Sequence, residues 1–503
     1  GALSISKLQC YFISCSFEGN SASSGGSLYI SEEQTHYIQS CTFTSETSST
    51  ANRGHSIHIE PNSQVFITDS DFINCGTKNF GNVIAFKGEY LFIEESTIEF
   101  TSSIQSRGLL ILNDKSIELN GCTFTNCNAG DSENGGAIFY DNPPTNSQQL
   151  SQDDSQVSIV LCTFNSNSAK EGCSIYFDAS SPPQIKLCEF NYHVTATSII
   201  TLKTHNIPSY ELENCTFQNN QYQGDANIGG SGFAFYNSDA DKPILYVTGC
   251  EFSENSAPNA GGFGLPDSLQ ASEVIFESCI FIGNMATSGT GGALCYNSTA
   301  ALEIKDSNFG NNHAETNGGS IYLSIKSGSP EISNCNFKLD TSDEKGNSIY
   351  TIDSNPQCWL SLENNEFIDC GLNGSSIYIC NKNLDFISNN VSFSQMTDSC
   401  RALMLDTYGT FTISYCYFSK CSLHEANQFG GAIYYVHPEQ TEGTNEELIV
   451  QGCTFDYCSA TNAAALYLNP LALTLSDIEL QNNTVQNCQS PQHIILIQFR
   501  TAV

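Results

Sequence analysis

Apolar and polar positions along this chain recur as one pattern from end to end: an aliphatic residue, two others, Cys, any residue, Phe, two others, then Asn or Cys. A Gly-Gly-small-aliphatic run follows. Ile117 to Cys127, with Cys122 and Phe124 at its centre, and then Gly135-Gly136-Ala137-Ile138-Phe139-Tyr140, spell it out in full. The Phe position can be followed through Phe17, Phe43, Phe72, Ile98, Phe124, Phe164, Phe190, Phe217, Phe252, Phe281, Phe309, Phe337, Phe367, Phe393, Phe418, Phe455 and Val485. Thirteen of the sixteen intervals are 25 to 30 residues, so a single structural unit is stacked on itself.

Inside each repeat the apolar residues alternate with period two, which predicts strands and excludes amphipathic helix. A first strand carries an inward aliphatic or aromatic residue three before the Cys position, as in Ile38, Ile67, Leu119, Ile159, Ile304 and Val450. The second strand is Cys-x-Phe, whose two named residues share a face. A spacing of three between the inward columns breaks the alternation and predicts a corner. A third strand follows the glycines, with inward pairs such as Leu28/Ile30, Ile57/Ile59, Ile321/Leu323 and Leu466/Leu468. The fold class is therefore all-β, a right-handed parallel β-helix (solenoid) of about 17 turns with three short strands per turn. At about 4.8 Å between strands such a stack is a rod on the order of 80 Å long.

Gly25-Gly26, Gly135-Gly136, Gly291-Gly292, Gly318-Gly319 and Gly430-Gly431 read as corner residues with positive φ or close backbone approach. Asn20, Asn167, Asn220, Asn255, Asn284 and Asn312 read as the other corner, tolerating a left-handed conformation and hydrogen-bonding along the stack. Longer intervals place protruding insertions near 141–156, 221–228 and 437–447, with a further loop near 265–271. These are where a repeat protein carries specificity.

The repeat covers residues 1–503 as a single continuous domain, and the pattern reads as a fragment of a longer chain. A net charge of −35 with 18 Lys and Arg leaves no basic stripe, so nucleic acid and anionic membrane surfaces are excluded as partners. No stretch approaches the roughly 18 apolar residues of a membrane span, so membrane attachment would come from outside this chain. Twenty-three Cys without a zinc spacing favour an extracellular context. Asn-x-Ser/Thr sequons at Asn214, Asn297, Asn373, Asn390 and Asn482 agree with a secreted glycoprotein.

Phe-x-x-Asn paired with Gly-Gly-Ala-Ile resembles the polymorphic outer membrane protein repeat of chlamydial autotransporters, also found in trichomonad surface proteins. Phe17 to Asn20, Phe164 to Asn167, Phe217 to Asn220, Phe252 to Asn255, Phe281 to Asn284 and Phe309 to Asn312 match the first motif, and Gly135 to Ile138, Gly291 to Leu294 and Gly430 to Ile433 the second. Cys replaces Asn at Cys75, Cys127, Cys370, Cys421, Cys458 and Cys488, which is more similar to the protozoan version. The resemblance implies a surface-exposed adhesin or structural ectodomain, with no catalytic residues to carry over.

Cysteines in one column of adjacent turns are one strand spacing apart, within the roughly 4.4–6.8 Å between Cα atoms that a disulfide needs. Cys15/Cys41 and Cys421/Cys458 are such pairs, and Cys358/Cys380, in loops of consecutive turns, is the foremost disulfide candidate. The run Cys162, Cys188, Cys215, Cys250 and Cys279 reads as a file of buried free thiols. An outward aromatic stripe lies between the inward residues of the third strand: Tyr29, Phe139, Tyr176, Tyr236, Tyr322, Tyr350, Tyr378, Tyr434 and Tyr467. Tyr322, Tyr350, Tyr378, Tyr434 and Tyr467 are the candidate ligand-binding residues, suited to stacking on sugar rings or docking a protein. Cross-strand packing is the alternative reading.

Parallel β-helices also host polysaccharide lyases and hydrolases, which gather carboxylates on one face beside Lys or Arg. The one Asp-Asp pair, Asp153-Asp154, lies in an insertion, only four Arg are present, and polygalacturonase signatures are absent. His55 and His58 read as solvent-facing rather than as metal ligands, and no EF-hand or nonapeptide calcium repeat occurs. The expectation is an extracellular or cell-surface protein that binds a host-cell or neighbouring surface protein or glycan, without catalysis, cofactor or metal. A polysaccharide-active enzyme and a self-assembling surface filament or coat component are the rival readings.

Overall fold

In a computed structural model the protein is described over residues 3–22, 24–31, 33–44, 54–76, 81–101, 106–112, 116–142, 156–179, 182–204, 207–224, 232–237, 242–266, 271–353, 358–371, 373–380, 383–394, 399–407, 409–423, 429–436, 447–469 and 478–497. The chain divides into two compact units, Gly1–Glu251 and Phe252–Val503. Both are built of short parallel strands, and no helix occurs among the described residues. The fold is a parallel β-helix.

One coil of the first unit runs through Ser116–Asn120, Thr123–Thr125 and Ile138–Asn142. Each strand pairs with its counterparts one coil earlier and later. Leu119 thus lies between Ile93 and Ile159, Phe124 between Ile98 and Phe164, and Ile138 between Leu109 and Ile175. The second unit repeats the plan, for example in Leu360–Glu363, Glu366–Ile368 and Asn373–Ile379. Among the described residues, the first strand position recurs nine times in the first unit and eight times in the second.

Like residues meet in columns because the pairing is parallel and in register. Phe17, Phe43 and Phe72 stack at 4.7 and 4.6 Å, and Phe124, Phe164, Phe190 and Phe217 at 4.8–5.1 Å, in the first unit. Phe252, Phe281, Phe309, Phe337 and Phe367 stack at 4.6–4.9 Å in the second. Each buried ring contributes roughly 1.5–3 kcal/mol by removal from water, and each offset pair about 0.5–1.5 kcal/mol more. One position departs from the sequence reading: Val391, not Phe393, lies between Phe367 and Phe418. The register is set by Asn389, whose side chain donates to the Leu362 carbonyl (2.7 Å) at the corner two residues earlier.

The corners explain the cysteines. A residue in the left-handed region precedes each inward corner residue, as Ser40, Asp69, Gly121 and Asn214 do before Cys41, Ser70, Cys122 and Cys215. Cys122 Sγ then lies 3.3 Å from the Ile93 carbonyl of the previous coil and 3.5 Å from that of Asn120. Ser96 takes the same place with its hydroxyl on the Glu94 carbonyl (2.8 Å), and Asn365 with Nδ2 on the Ile332 carbonyl (2.9 Å). Cys, Ser and Asn are exchangeable here because each supplies one small polar group to backbone that water cannot reach.

At the second corner, the residues with positive φ are Gly19, Ser166, Asn219, Glu254, Gly283 and Asn311, each one before the asparagines expected to take that conformation. The asparagines instead form the ladder. Six coils also add a fourth, two-residue strand to the three expected: Val194–Thr195 and Gln221–Tyr222 in the first unit, and Ser256–Ala257, Met285–Ala286, His313–Ala314 and Thr341–Ser342 in the second. They follow His193, Asn220, Asn255, Asn284, Asn312 and Asp340, and the side chains of Asn220, Asn284, Asn312 and Asp340 accept the backbone N–H of the counterpart residue one coil earlier at 3.0–3.2 Å. The glycine pair acts as expected: Gly135 has φ +68, and a Cβ on Gly136 would sit 2.1 Å from the Cys173 carbonyl oxygen.

The ladder in the second unit ends on an acid. Asn284 sends Nδ2 to the Phe252 carbonyl (2.8 Å) and Asn312 to that of Phe281 (2.9 Å). Asn312 in turn gives its backbone N–H and Nδ2 to Asp340 Oδ1 at 3.0 and 3.2 Å. Asp340 has an oxygen where the others have an amide NH₂, and this Oδ2 is buried without a partner. Complete burial pushes its carboxyl up to about 7. The raised value means that folding favours the protonated acid, so Asp340's contribution is complete below its unfolded value near 4 and is lost as pH rises through about 7. We expect Asp340→Asn to be more stable than wild type by about 1–3 kcal/mol at pH 8, with the gap closing at pH 5. Urea unfolding at both pH values checks this, and a variant less stable than wild type at pH 8 contradicts it.

Candidate functional site

The outward row of the third sheet has the register that the aromatic spacing predicts. In the second unit Cys295, Tyr322, Tyr350 and Tyr378 are successive partners, followed by Met404, Tyr434 and Tyr467. Tyr322 and Tyr350 stack at 5.6 Å, Tyr350 and Tyr378 at 5.3 Å, and Tyr434 and Tyr467 at 5.1 Å, with Met404 separating the two groups. The row is not uniformly open. Tyr378 and Tyr467 are each 3% exposed, while Tyr322, Tyr350 and Tyr434 are half-buried.

Much of this cover comes from cations. Lys345 Nζ lies 4.5 Å over the Tyr378 ring, and the Arg401 guanidinium lies 4.8 Å over Tyr434. Lys345 also donates to the Tyr378 hydroxyl (2.9 Å), which itself donates to Asp406. Burial, then the Asp406 carboxylate, pushes the Tyr378 phenol well above its ordinary value. Burial raises Tyr322 and Tyr350 too, with Cys380 adding to the effect on Tyr350. Sequence reasoning missed these cations, although Arg401, three residues before its outward row position, offered a signal. Among the described residues, Tyr322 and Tyr350 are the half-exposed tyrosines of this row with no cation over them.

In the first unit the same row contains Tyr29, His58, Phe139 and Tyr176. Tyr29 and His58 stack at 5.4 Å, and both reach Glu60 Oε1 at 3.0 Å. His58 is therefore buried, and so is His55, whose Nε2 would lie 1.6 Å from a Cβ on Gly81. The solvent-facing reading of both is corrected by this packing, and burial pushes His55 down to about 4. Arg107 covers Phe139 at 4.6 Å and Lys203 covers Tyr176 at 4.9 Å. Two residues along each strand, Asp141 pairs with Asp178, and Asp178 with Lys203. Burial, then Asp178, raises the Asp141 carboxyl, and Lys203 opposes this. Carboxylates 37 residues apart in sequence are neighbours only through the register. Tyr236's side chain lies outside the described residues, as do most of the predicted insertions (143–155, 225–231 and 437–446).

None of the 23 cysteines is joined in a disulfide in this structure. Cys380 N–H donates to the Thr351 carbonyl (3.3 Å), whereas the Cys358 carbonyl accepts from Asn383 Nδ2 (3.1 Å). They occupy opposite ends of the loop segment rather than one column, and no bond joins them. Cys41 Sγ instead accepts from the Cys15 N–H (3.4 Å), and Cys458 Sγ lies 3.7 Å from the Phe418 carbonyl, one coil before its own and in the coil of Cys421. Of the sequon residues, Asn214 and Asn482 are exposed at corners with φ of 51° and 53°. Asn297 and Asn390 are half-buried, Asn390 Nδ2 donating to Glu366 Oε1 (3.1 Å), and Asn373's side chain lies outside the described residues.

Five thiols, at Cys10, Cys15, Cys295, Cys380 and Cys488, are partly exposed and the other eighteen of the 23 are buried. Iodoacetamide should therefore label Cys10, Cys15 and Cys380 readily in the native protein, Cys295 and Cys488 more slowly because burial pushes the Cys295 thiol up to about 11 and Cys458 and burial raise Cys488, and the remainder only after denaturation, without reductant. Peptide mass spectrometry reads the result, and thiols that stay unlabelled in denaturant reveal disulfides. No protein-family model matches the chain, and no curated protein matches it.

Proposed function

We propose that the protein is an extracellular or cell-surface β-helical adhesin or structural ectodomain, acting by binding through the outward tyrosines of the third sheet. The observation that carries this reading is the Tyr322–Tyr350 stack, held in register by paired backbone and half-exposed beside the covered Tyr378. Paired rings on a rigid sheet give a ligand flat amphipathic area at low ordering cost. The −35 charge favours neutral or basic surfaces as partners. Exposed sequon residues at Asn214 and Asn482, and the resemblance to polymorphic outer membrane protein repeats, support an extracellular setting.

A second reading draws on Asp141, Asp178 and Lys203. Two carboxylates on adjacent rungs beside a lysine have the composition that acid–base attack on a polysaccharide requires. On this reading reducing ends or unsaturated sugars accumulate from a polysaccharide panel, and Asp178→Asn abolishes the turnover.

On the binding reading, Tyr322→Ser/Tyr350→Ser lowers binding to glycan and cell-surface arrays at least tenfold while circular dichroism is unchanged. Retention of binding by the folded variant excludes this face as the recognition surface.

A further inference from the structure

A second aromatic surface lies on the opposite side of the corner pattern, on the outer face of the second sheet in the second unit. Tyr415, Tyr417 and Tyr457 are 66%, 39% and 47% exposed. Tyr417 begins the strand Tyr417–Ser419, which pairs with Thr454–Asp456 of the next coil, and Tyr415 and Tyr457 stand at the corners flanking these strands.

Two of these tyrosines occupy left-handed corner positions, as Tyr192 does in the first unit. Tyr415 and Tyr457 have φ of 56° and 53°, at corners where other coils of this unit use Asn334, Asn364, Asn311 and Asn487 as well as Leu339, Lys420 and Glu254. A large aromatic residue in the left-handed region is disfavoured, whereas Asn adopts it readily. An exposed ring adds little to the core, and three such rings gathered at one sheet face point to use at the surface. The next coil also accommodates it: Gly452 has φ +64, and a Cβ there would come within 2.7 Å of the Tyr415 ring. The ring thus lies across bare backbone.

Polar groups fix the centre of the surface. The Tyr417 hydroxyl donates to Asp456 Oδ2 (3.1 Å), and Asn487 Nδ2 donates to Asp456 Oδ1 (2.9 Å). A carboxylate between exposed rings accepts hydrogen bonds from hydroxyls and repels acids. Tyr415 and Tyr457 are five strand positions apart, about 15 Å, too wide to close around one small cation and suited to an extended chain.

From this geometry we propose that Tyr415, Tyr417 and Tyr457 form a binding site for a neutral oligosaccharide, whose apolar ring faces stack on the tyrosines while its hydroxyls donate to Asp456. The site is on a different sheet from the Tyr322–Tyr350 pair and does not depend on the role given to that pair.

The test is titration of the full chain with cellohexaose, maltohexaose, chitohexaose and choline, followed by calorimetry and saturation-transfer NMR. At least one hexasaccharide binds, and Tyr415→Asn/Tyr457→Asn weakens it at least tenfold while raising the thermal midpoint, because Asn relieves both corners. Gly452→Ala, which displaces the Tyr415 ring, weakens binding without touching a tyrosine. The proposal is overturned if no hexasaccharide binds, if the double variant binds as wild type does, or if choline binds more tightly than every saccharide.

Discussion

Everything in this structure depends on parallel backbone pairing from one coil to the next. Once Phe124 is hydrogen-bonded between Ile98 and Phe164, each side-chain position becomes a column whose members touch their own kind. A column can be filled only by residues that tolerate an identical neighbour at roughly 4.8 Å. Aromatic rings satisfy this by stacking and amides by head-to-tail hydrogen bonding. A carboxyl group fits such a column poorly, because burial disfavours its charged form, and this is the position of Asp340 at the end of its ladder.

The same constraint accounts for the cysteine content without invoking crosslinks. At each first corner the chain turns sharply, leaving inward carbonyls beside the corner side chain. Cys122, Ser96 and Asn365 meet that need alike, with one short polar group on a backbone oxygen. A thiol costs little to bury, so it suits a place bordered by Phe and Ile columns. Disulfide formation would withdraw the sulfur from those carbonyls.

Function on such a scaffold belongs to the outward positions, where the columns continue but solvent relaxes their chemistry. The third-sheet row shows how the two reinforce each other. Its scarce cations lie over the rings of Phe139, Tyr176, Tyr378 and Tyr434, giving each ring a favourable cap. Among the described residues no cation lies over Tyr322 or Tyr350, which stay half-exposed, and the corner tyrosines of the second sheet are exposed as well.

Sequence alone determined the strand pattern, the inward columns, the glycine corners and the outward tyrosine row, because each follows from a local period that survives any packing. It also located the asparagine corner, although the residue before each Asn, not the Asn itself, bears the left-handed backbone. Three things were decided only by the tertiary structure. The Val391 register depended on which side chain reached a carbonyl one coil away. Burial of His55 and His58 depended on neighbours 26 and 29 residues distant, at Gly81 and Tyr29. The pairing of Asp141 with Asp178, and the reach of Tyr417 to Asp456, depended on loop lengths that set which residues become rung partners. A periodic sequence specifies the column a residue joins, but its neighbours in that column, and hence its charge and exposure, are fixed only when the coils close.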